Sequence, residues 1–299
     1  MQIYLPIAEM AIDPFLLLAL GLGVGLLSGM FGVGGAFILT PTLIFIGLPP
    51  AVAVASQANV VLASSVSGAL FHWRRGNIDW LMGGVLLVGG VAGAGLGVLL
   101  FGLLRGVGQL EATLALSYVV LLFVVGALMV VEGLRQFSRR GRRRLRRHHI
   151  HTWAHGLPFK LRFRRSQIYA SALLPFAVGL GVGVLSAFLG VGGGFVLVPL
   201  MIYLLGMPTG VVVGTSLFQM IFVAASASFF HATSNHSVDL VLAAILVVGS
   251  VLGAQYGGRL GARLPVHTLR LLLGALLFAL GMRLFFSLTL PPADFYVLG

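Results

Sequence analysis

The sequence predicts an all-α polytopic membrane protein made of two inverted repeats of five apolar segments, with about 8–10 membrane segments in all. Three observations carry that expectation. Apolar residues make up 59% of the 299 and charged residues only 9%, against about 25% charged in soluble domains. The stretch "GLGVGLLSGMFGVGGAFILTP" at 21–41 returns as "GLGVGVLSAFLGVGGGFVLVP" at 179–199, identical at 14 of 21 positions. Finally, 12 of the 19 Lys and Arg residues fall within residues 135–165. The apolar blocks do not alternate, which argues against an outer-membrane barrel.

In chain order, no Lys or Arg precedes Arg74, so the start lacks the charged region of a cleavable signal peptide. Asp13-Pro14 reads as an N-cap with proline at the first helical position. Apolar segments then cover 14–31, 35–48, 51–71, 80–101 and 110–134, and again 168–189, 193–206, 210–230, 238–258 and 267–289. The second segment of each half is short: residues 35–48 make about 21 Å of helix, against about 30 Å of hydrocarbon. Each carries a proline, Pro41 or Pro199. The expected shape is a helical hairpin that turns inside the membrane at its glycine-rich tip, where exposed backbone is tolerated only against protein or a cavity.

The duplication continues past the tips. "HWRRGNIDW" answers "HATSNHSVDL", pairing His72 with His231 and Asp79 with Asp239. The chain thus divides into a first repeat at 12–134, a basic loop at 135–167 and a second repeat at 168–289. Five segments per half turn the second half upside down. With the basic loop inside, Arg74, Arg75, Arg259 and Arg263 also fall inside and the 231–238 loop, free of Lys and Arg, falls outside; Arg105 alone opposes the positive-inside rule. The residues at 139–165 are expected to touch anionic lipid headgroups rather than nucleic acid.

Much chemistry is excluded. Without cysteine there are no disulfides and no thiolate ligands. The histidines of the loop (His148, His149, His151, His155) have no carboxylate or Cys companion, so no metal site is expected. The seven carboxylates lie at segment ends or in loops, and no Walker motif or nucleophile–base pair appears, so neither an enzyme nor a cofactor is expected.

What the duplicated tips offer is helix starts. Gly34 and Gly35 in one half, and Gly192, Gly193 and Gly194 in the other, would present N–H groups and partial positive charge to an anion. Gly21, Gly23, Gly25 and Gly29 read as packing residues. The third segments add Ser56, Gln57 and Asn59, and Thr215, Ser216 and Gln219, with Thr215 and Gln219 one turn apart. These residues are the expected substrate contacts. His72 and His231 are candidates for a proton relay or for interfacial anchoring.

"GVGGAFILTP" and "GVGGGFVLVP", with "VVVGTSLFQM" after the second, resemble the TauE/SafE family of sulfite and organosulfonate exporters, the four-toluene-sulfonate-uptake type of permease. The resemblance spans nearly the whole chain apart from the basic loop. It implies a multi-pass permease of the prokaryotic inner membrane that exports a small sulfur-containing anion; a permease for a small carboxylate, or an intramembrane enzyme, is the alternative. Family members are often drawn with seven or eight crossings. Ser56-Gln57-Ala58-Asn59 stands where the second half has Thr215-Ser216-Leu217-Phe218, so the two halves are not chemically equivalent.

Overall fold

Asp13 opens the first helix as its sequence suggests: Oδ1 accepts the N–H of Phe15 at 2.9 Å, and Pro14 is the first helical residue. The computed structural model describes residues 2–31, 36–138, 160–163, 165–166, 168–235, 237–261 and 266–289. Among these, ten helices follow the expected segments closely. The first half contains α1 (Pro14–Phe31), α2 (Ala36–Phe45), α3 (Pro50–Arg74), α4 (Trp80–Gly106) and α5 (Leu110–Ser138). The second contains α6 (Leu173–Leu189), α7 (Gly194–Tyr203), α8 (Thr209–Phe230), α9 (Leu240–Gly261) and α10 (Val266–Thr289), with a π turn, His231–Asn235, continuing α8.

The protein is an all-α, multi-pass membrane protein. Five spans among the described residues are long and apolar enough to cross a bilayer: Pro50–Arg74, Trp80–Gly106, Ala112–Val131, Gly210–Asn235 and Leu240–Gly257. α2 and α7 have ten residues each, about 15 Å of helix, half a hydrocarbon core.

Two short hairpins add to the expected pattern. β1 (Ile3–Leu5) pairs antiparallel with β2 (Met10–Ile12) just before α1, and β3 (Lys160–Phe163) pairs with β4 (Ile168–Ser171) just before α6. Residues 168–171, expected as the start of a membrane segment, are therefore strand. Their neighbours across the ladder, Leu161 and Phe163, supply an apolar partner that a one-dimensional hydropathy reading does not weigh.

Helices pair across the two halves. α1 packs on α9, α4 on α6, α3 on α8 and α5 on α10. The α1–α9 and α4–α6 seams run backbone against backbone. A Cβ on Gly21 would stand 2.6 Å from the Leu246 carbonyl oxygen, and one on Gly97 2.6 Å from that of Val184. Gly25 meets Ser250 as closely, whereas Gly23 faces open space. Of the glycines read as packing residues, Gly21 and Gly25 thus sit in the seam.

The ends of the halves interlock too. The N–H of Asp79 donates to Thr215 Oγ1 at 3.0 Å, and that of Asp239 donates to Ser56 Oγ at 2.9 Å. Each half's third helix therefore begins beside the other half's third-to-fourth turn, so α3 and α8 run antiparallel. The carboxylates of Asp79 and Asp239 cap α4 and α9 through the N–H groups of Met82 and Leu242. Their second oxygens hold the hairpins: Asp79 Oδ2 accepts from the N–H and hydroxyl of Ser166 (2.9 and 2.7 Å), and Asp239 Oδ2 accepts from the N–H of Ile7 (3.0 Å). Both aspartates are almost wholly buried.

Candidate functional site

The second-half tip is the described one. α6 ends at Leu189, and Gly190, Gly192 and Gly193 follow with φ of +68°, +72° and +64°. A side chain in this left-handed region is strained, so glycine is what lets the chain reverse here. α7 starts at Gly194, with Gly193 at its N-cap position making no side-chain cap. The whole turn is buried. Among the described residues, the main-chain N–H groups of Gly192, Gly193 and Phe195 have no hydrogen-bond acceptor.

The tip is wedged between the third helices. A Cβ on Gly190 would meet the main chain of Val54, and one on Gly192 would meet the methyl groups of Val61 at 2.8 Å and Met220 at 3.3 Å. Phe195 of α7 reaches Phe37 of α2, with ring centroids 5.5 Å apart. The second arms of the two hairpins thus touch through residues that correspond in the duplication.

A helix that stops inside the protein leaves carbonyl groups without intrahelical partners. At the end of α6 three side chains supply them. Gln57 Nε2 donates to the Gly190 carbonyl, the Tyr118 hydroxyl donates to that of Leu189, and His231 Nε2 lies 2.9 Å from that of Ala187. The other ring nitrogen of His231 faces Asn235 Nδ2 at 3.0 Å. Tyr118 has no signal of this role in the sequence: it is one aromatic in an apolar helix. Asp79 and Asp239 had one, since they lie at matching places just before helix starts.

The expected substrate contacts are placed as follows. Gln57 joins the tip at Gly190, and Gly192, Gly193 and Gly194 form the turn itself. Asn59 Oδ1 accepts the Ser228 hydroxyl at 2.8 Å, while Asn59 Nδ2 is buried without a partner. Ser216 donates to the Val213 carbonyl within its own helix. Ser56 and Thr215 hold the two interlocking turns and are not brought together: Gly214, beside Thr215, abuts His72, which is about 24 Å of helix from Ser56. Gln219 is fully buried, and neither its Nε2 nor its Oε1 has a hydrogen-bond partner among the described residues. Its amide lies against Gly90 of α4. His72 lines an open cavity, and His231 is sealed in. Gly34 and Gly35 lie outside the described residues, as do His148, His149, His151, His155 and most of 139–165.

The comparisons with known proteins agree with one another. The family model described as "Sulfite exporter TauE/SafE" matches residues 17–284. The "Probable membrane transporter protein YjnA" of Bacillus subtilis is 27% identical over 90% of this chain and 98% of its own length. "Probable membrane transporter protein YunE" of the same organism is 24% identical over 91% of this chain and 97% of its own. A "Probable membrane transporter protein" of Xylella fastidiosa is 27% identical over 89% and 94%. No solved structure matches the chain. With the family model covering nearly its whole length, this multi-pass membrane protein is a transporter belonging to the sulfite exporter TauE/SafE family.

Proposed function

We propose that the chain is an inner-membrane permease of a prokaryote that exports a small sulfur-containing anion, sulfite or an organosulfonate, through two halves of inverted orientation. The anion is held near the midplane by the N–H groups at the start of α7 and by the side-chain amides of the third helices. The first-half tip, with Gly34 and Gly35, contributes in the same way. Ser56, Thr215 and Ser216 support the site by fixing the helices that carry the amides.

The observation that carries this reading is Gln219. A buried amide left without partners costs about 1–3 kcal/mol, and in lipid the incentive to satisfy it is no smaller. A side chain kept in that state on a helix that flanks the tip is suited to a ligand that binds and leaves. The family description supports the sulfur-containing anion; the relatives' names support transport and say nothing of a substrate.

The test is flux from liposomes holding the purified protein, loaded in turn with sulfite, a taurine-like sulfonate and a small carboxylate. Release of the sulfur anions, chemically unchanged, is the expected result. Release of the carboxylate alone would replace the substrate class, and conversion to a product would replace transport by catalysis.

A further inference from the structure

The ends of α1, α3, α8 and α9 enclose a cavity of about 590 Å³. Its exposed rim carries Arg74, Arg75, Gln255 and Arg259 beside the half-buried His72, and its inner wall carries the buried Ser28 and Ser64, the Ser64 hydroxyl donating to the Val61 carbonyl at 3.1 Å. Among the described residues no Asp or Glu lines it. The nearest carboxylate along the chain, Asp79, is buried and occupied by Met82 and Ser166. Arg75 lies over the Phe71 ring, with Cζ 4.2 Å from its centroid. Arg74 and Arg259 have no ion-pair or hydrogen-bond partner among the described residues, and Nδ1 of His72 is buried without one.

The matching end of the other half is closed. There His231 bonds the Ala187 carbonyl and Asn235, its ring sits 4.8 Å from that of Phe101, and Arg105 donates to the Asn235 carbonyl at 2.8 Å. Two histidines that correspond in the duplication therefore have opposite surroundings: one seals its end and one faces an opening.

The open end is also the basic one. Arg165, at the end of the basic loop, donates to the Gly76 carbonyl at 2.8 Å, next to the rim. A cleft lined by one sign of charge raises the local concentration of counter-ions roughly 10- to 1,000-fold. We propose that this cavity is a second anion site, separate from the buried tip, which collects a small oxyanion of one or two negative charges from the basic-loop side and feeds it inward. The inference rests on the permease reading for its place in transport, while binding at the cavity stands by itself. Lipid phosphate shares the chemistry, but Ser28 on the inner wall is buried, 4% exposed, a contact suited to an oxyanion free to pass the arginine rim.

Trp73 and Trp80, stacked edge to face at 5.9 Å beside the rim, provide the readout. In a Trp153→Phe background, titrating sulfite into the detergent-solubilised full chain is expected to change their fluorescence saturably. Arg74→Gln and Arg259→Gln should each raise the half-saturating concentration roughly three- to tenfold, and the pair should raise it further. Arg74→Lys should retain most of the binding. In vesicles, the same variants should raise the half-saturating sulfite for efflux more than they lower the maximal rate, equally in pure phosphatidylcholine and with added phosphatidylglycerol. A wild-type titration without saturation overturns the collecting site whatever the flux. A shift seen only with phosphatidylglycerol also overturns it, assigning the arginines to headgroups. Saturable binding with no flux of any anion supports the site and removes the permease reading alone.

Discussion

The rings of Phe37 and Phe195 meet with centroids 5.5 Å apart and planes inclined at 45°, and the two residues hold the same place in the stretches 21–41 and 179–199. Copies of one residue touch each other only near the operation that relates the copies; elsewhere it carries them apart. The helix pairing follows the same logic. α3 meets α8 and α5 meets α10, corresponding elements in each case, while the two other main pairings exchange places, α1 with α9 and α4 with α6. With α3 and α8 antiparallel, this pairing is the one expected of two halves of inverted orientation.

The first prediction concerns topology. Both termini and the 231–238 loop should face outside, and the loops at 72–79 and 135–167 inside. Single accessible tags in each loop, labelled from either face of the membrane, check it. A terminus labelled only from the cytoplasm would remove the inverted arrangement.

Asp79 and Asp239 should act as matched fasteners. Replacing Asp79 by Ala removes the α4 cap and both bonds to Ser166, a loss of about 2–3 kcal/mol. Asp79→Asn keeps one acceptor and should lose less. The expected readout is a lowered apparent melting temperature in detergent, with Asp239→Ala matching Asp79→Ala and Thr215→Val falling by about 1 kcal/mol.

The glycine seams should tolerate side chains only where there is room. Gly253 faces the Leu22 carbonyl of α1 and Gly93 that of Leu180 of α6, so a Cβ at either pushes two backbones apart; Gly23 and Gly181 have nothing within 4 Å. Gly253→Val and Gly93→Val should abolish the monodisperse peak in size-exclusion chromatography. Gly23→Ala and Gly181→Ala should leave it unchanged.

Gln219 separates a ligand contact from a structural one. Gln219→Leu removes a buried amide with no partner, so stability should hold or rise, since an apolar group of similar shape carries no desolvation cost. Transport should fall at least tenfold. Gly192→Ala should also lose transport, because its Cβ enters the Val61 methyls and its φ is left-handed. Normal flux in both variants would reduce the tip to a packing element.

The driving force gives the last prediction. The proposed site of N–H groups and amides would hold an anion with no fixed countercharge, and Asp79 and Asp239 are committed to helix caps. A potential of 100 mV is worth about 2.3 kcal/mol per charge moved, a bias of about 50-fold for an anion leaving a negative interior. Imposed potential should therefore drive flux in liposomes, and a pH gradient at zero potential should drive little. Flux that follows the pH gradient and is uncoupled by replacing His72 or His231 would establish a proton relay instead.

The sequence by itself determined the solvent and the helical segments, and it carries the duplication of 21–41 at 179–199. In lipid every backbone group must be satisfied internally, so a long apolar run that does not alternate reads as a helix, although its ends shift by several residues, as at 168–171, which are strand. Gly21 and Gly25, read from the sequence as packing residues, sit in a close seam, whereas Gly23, read the same way, faces open space. Which helix each face met was not legible. A helix apolar on all sides has no polar face to exclude, so α1 is as compatible with α2 beside it in the chain as with α9, which it packs against. The roles of single polar residues were decided only in three dimensions. Gln57, Ser56 and Thr215 find their partners 133, 183 and 136 residues away. Two of the three sit at places that correspond in the duplication, yet what each hydroxyl does was set by the turn of the opposite half that folding brought to it. The hairpin turns held by Asp79 and Asp239 were decided in the same way: a three- or four-residue strand carries too little pattern to be seen, and it persists because a buried carboxylate needs the donors it offers.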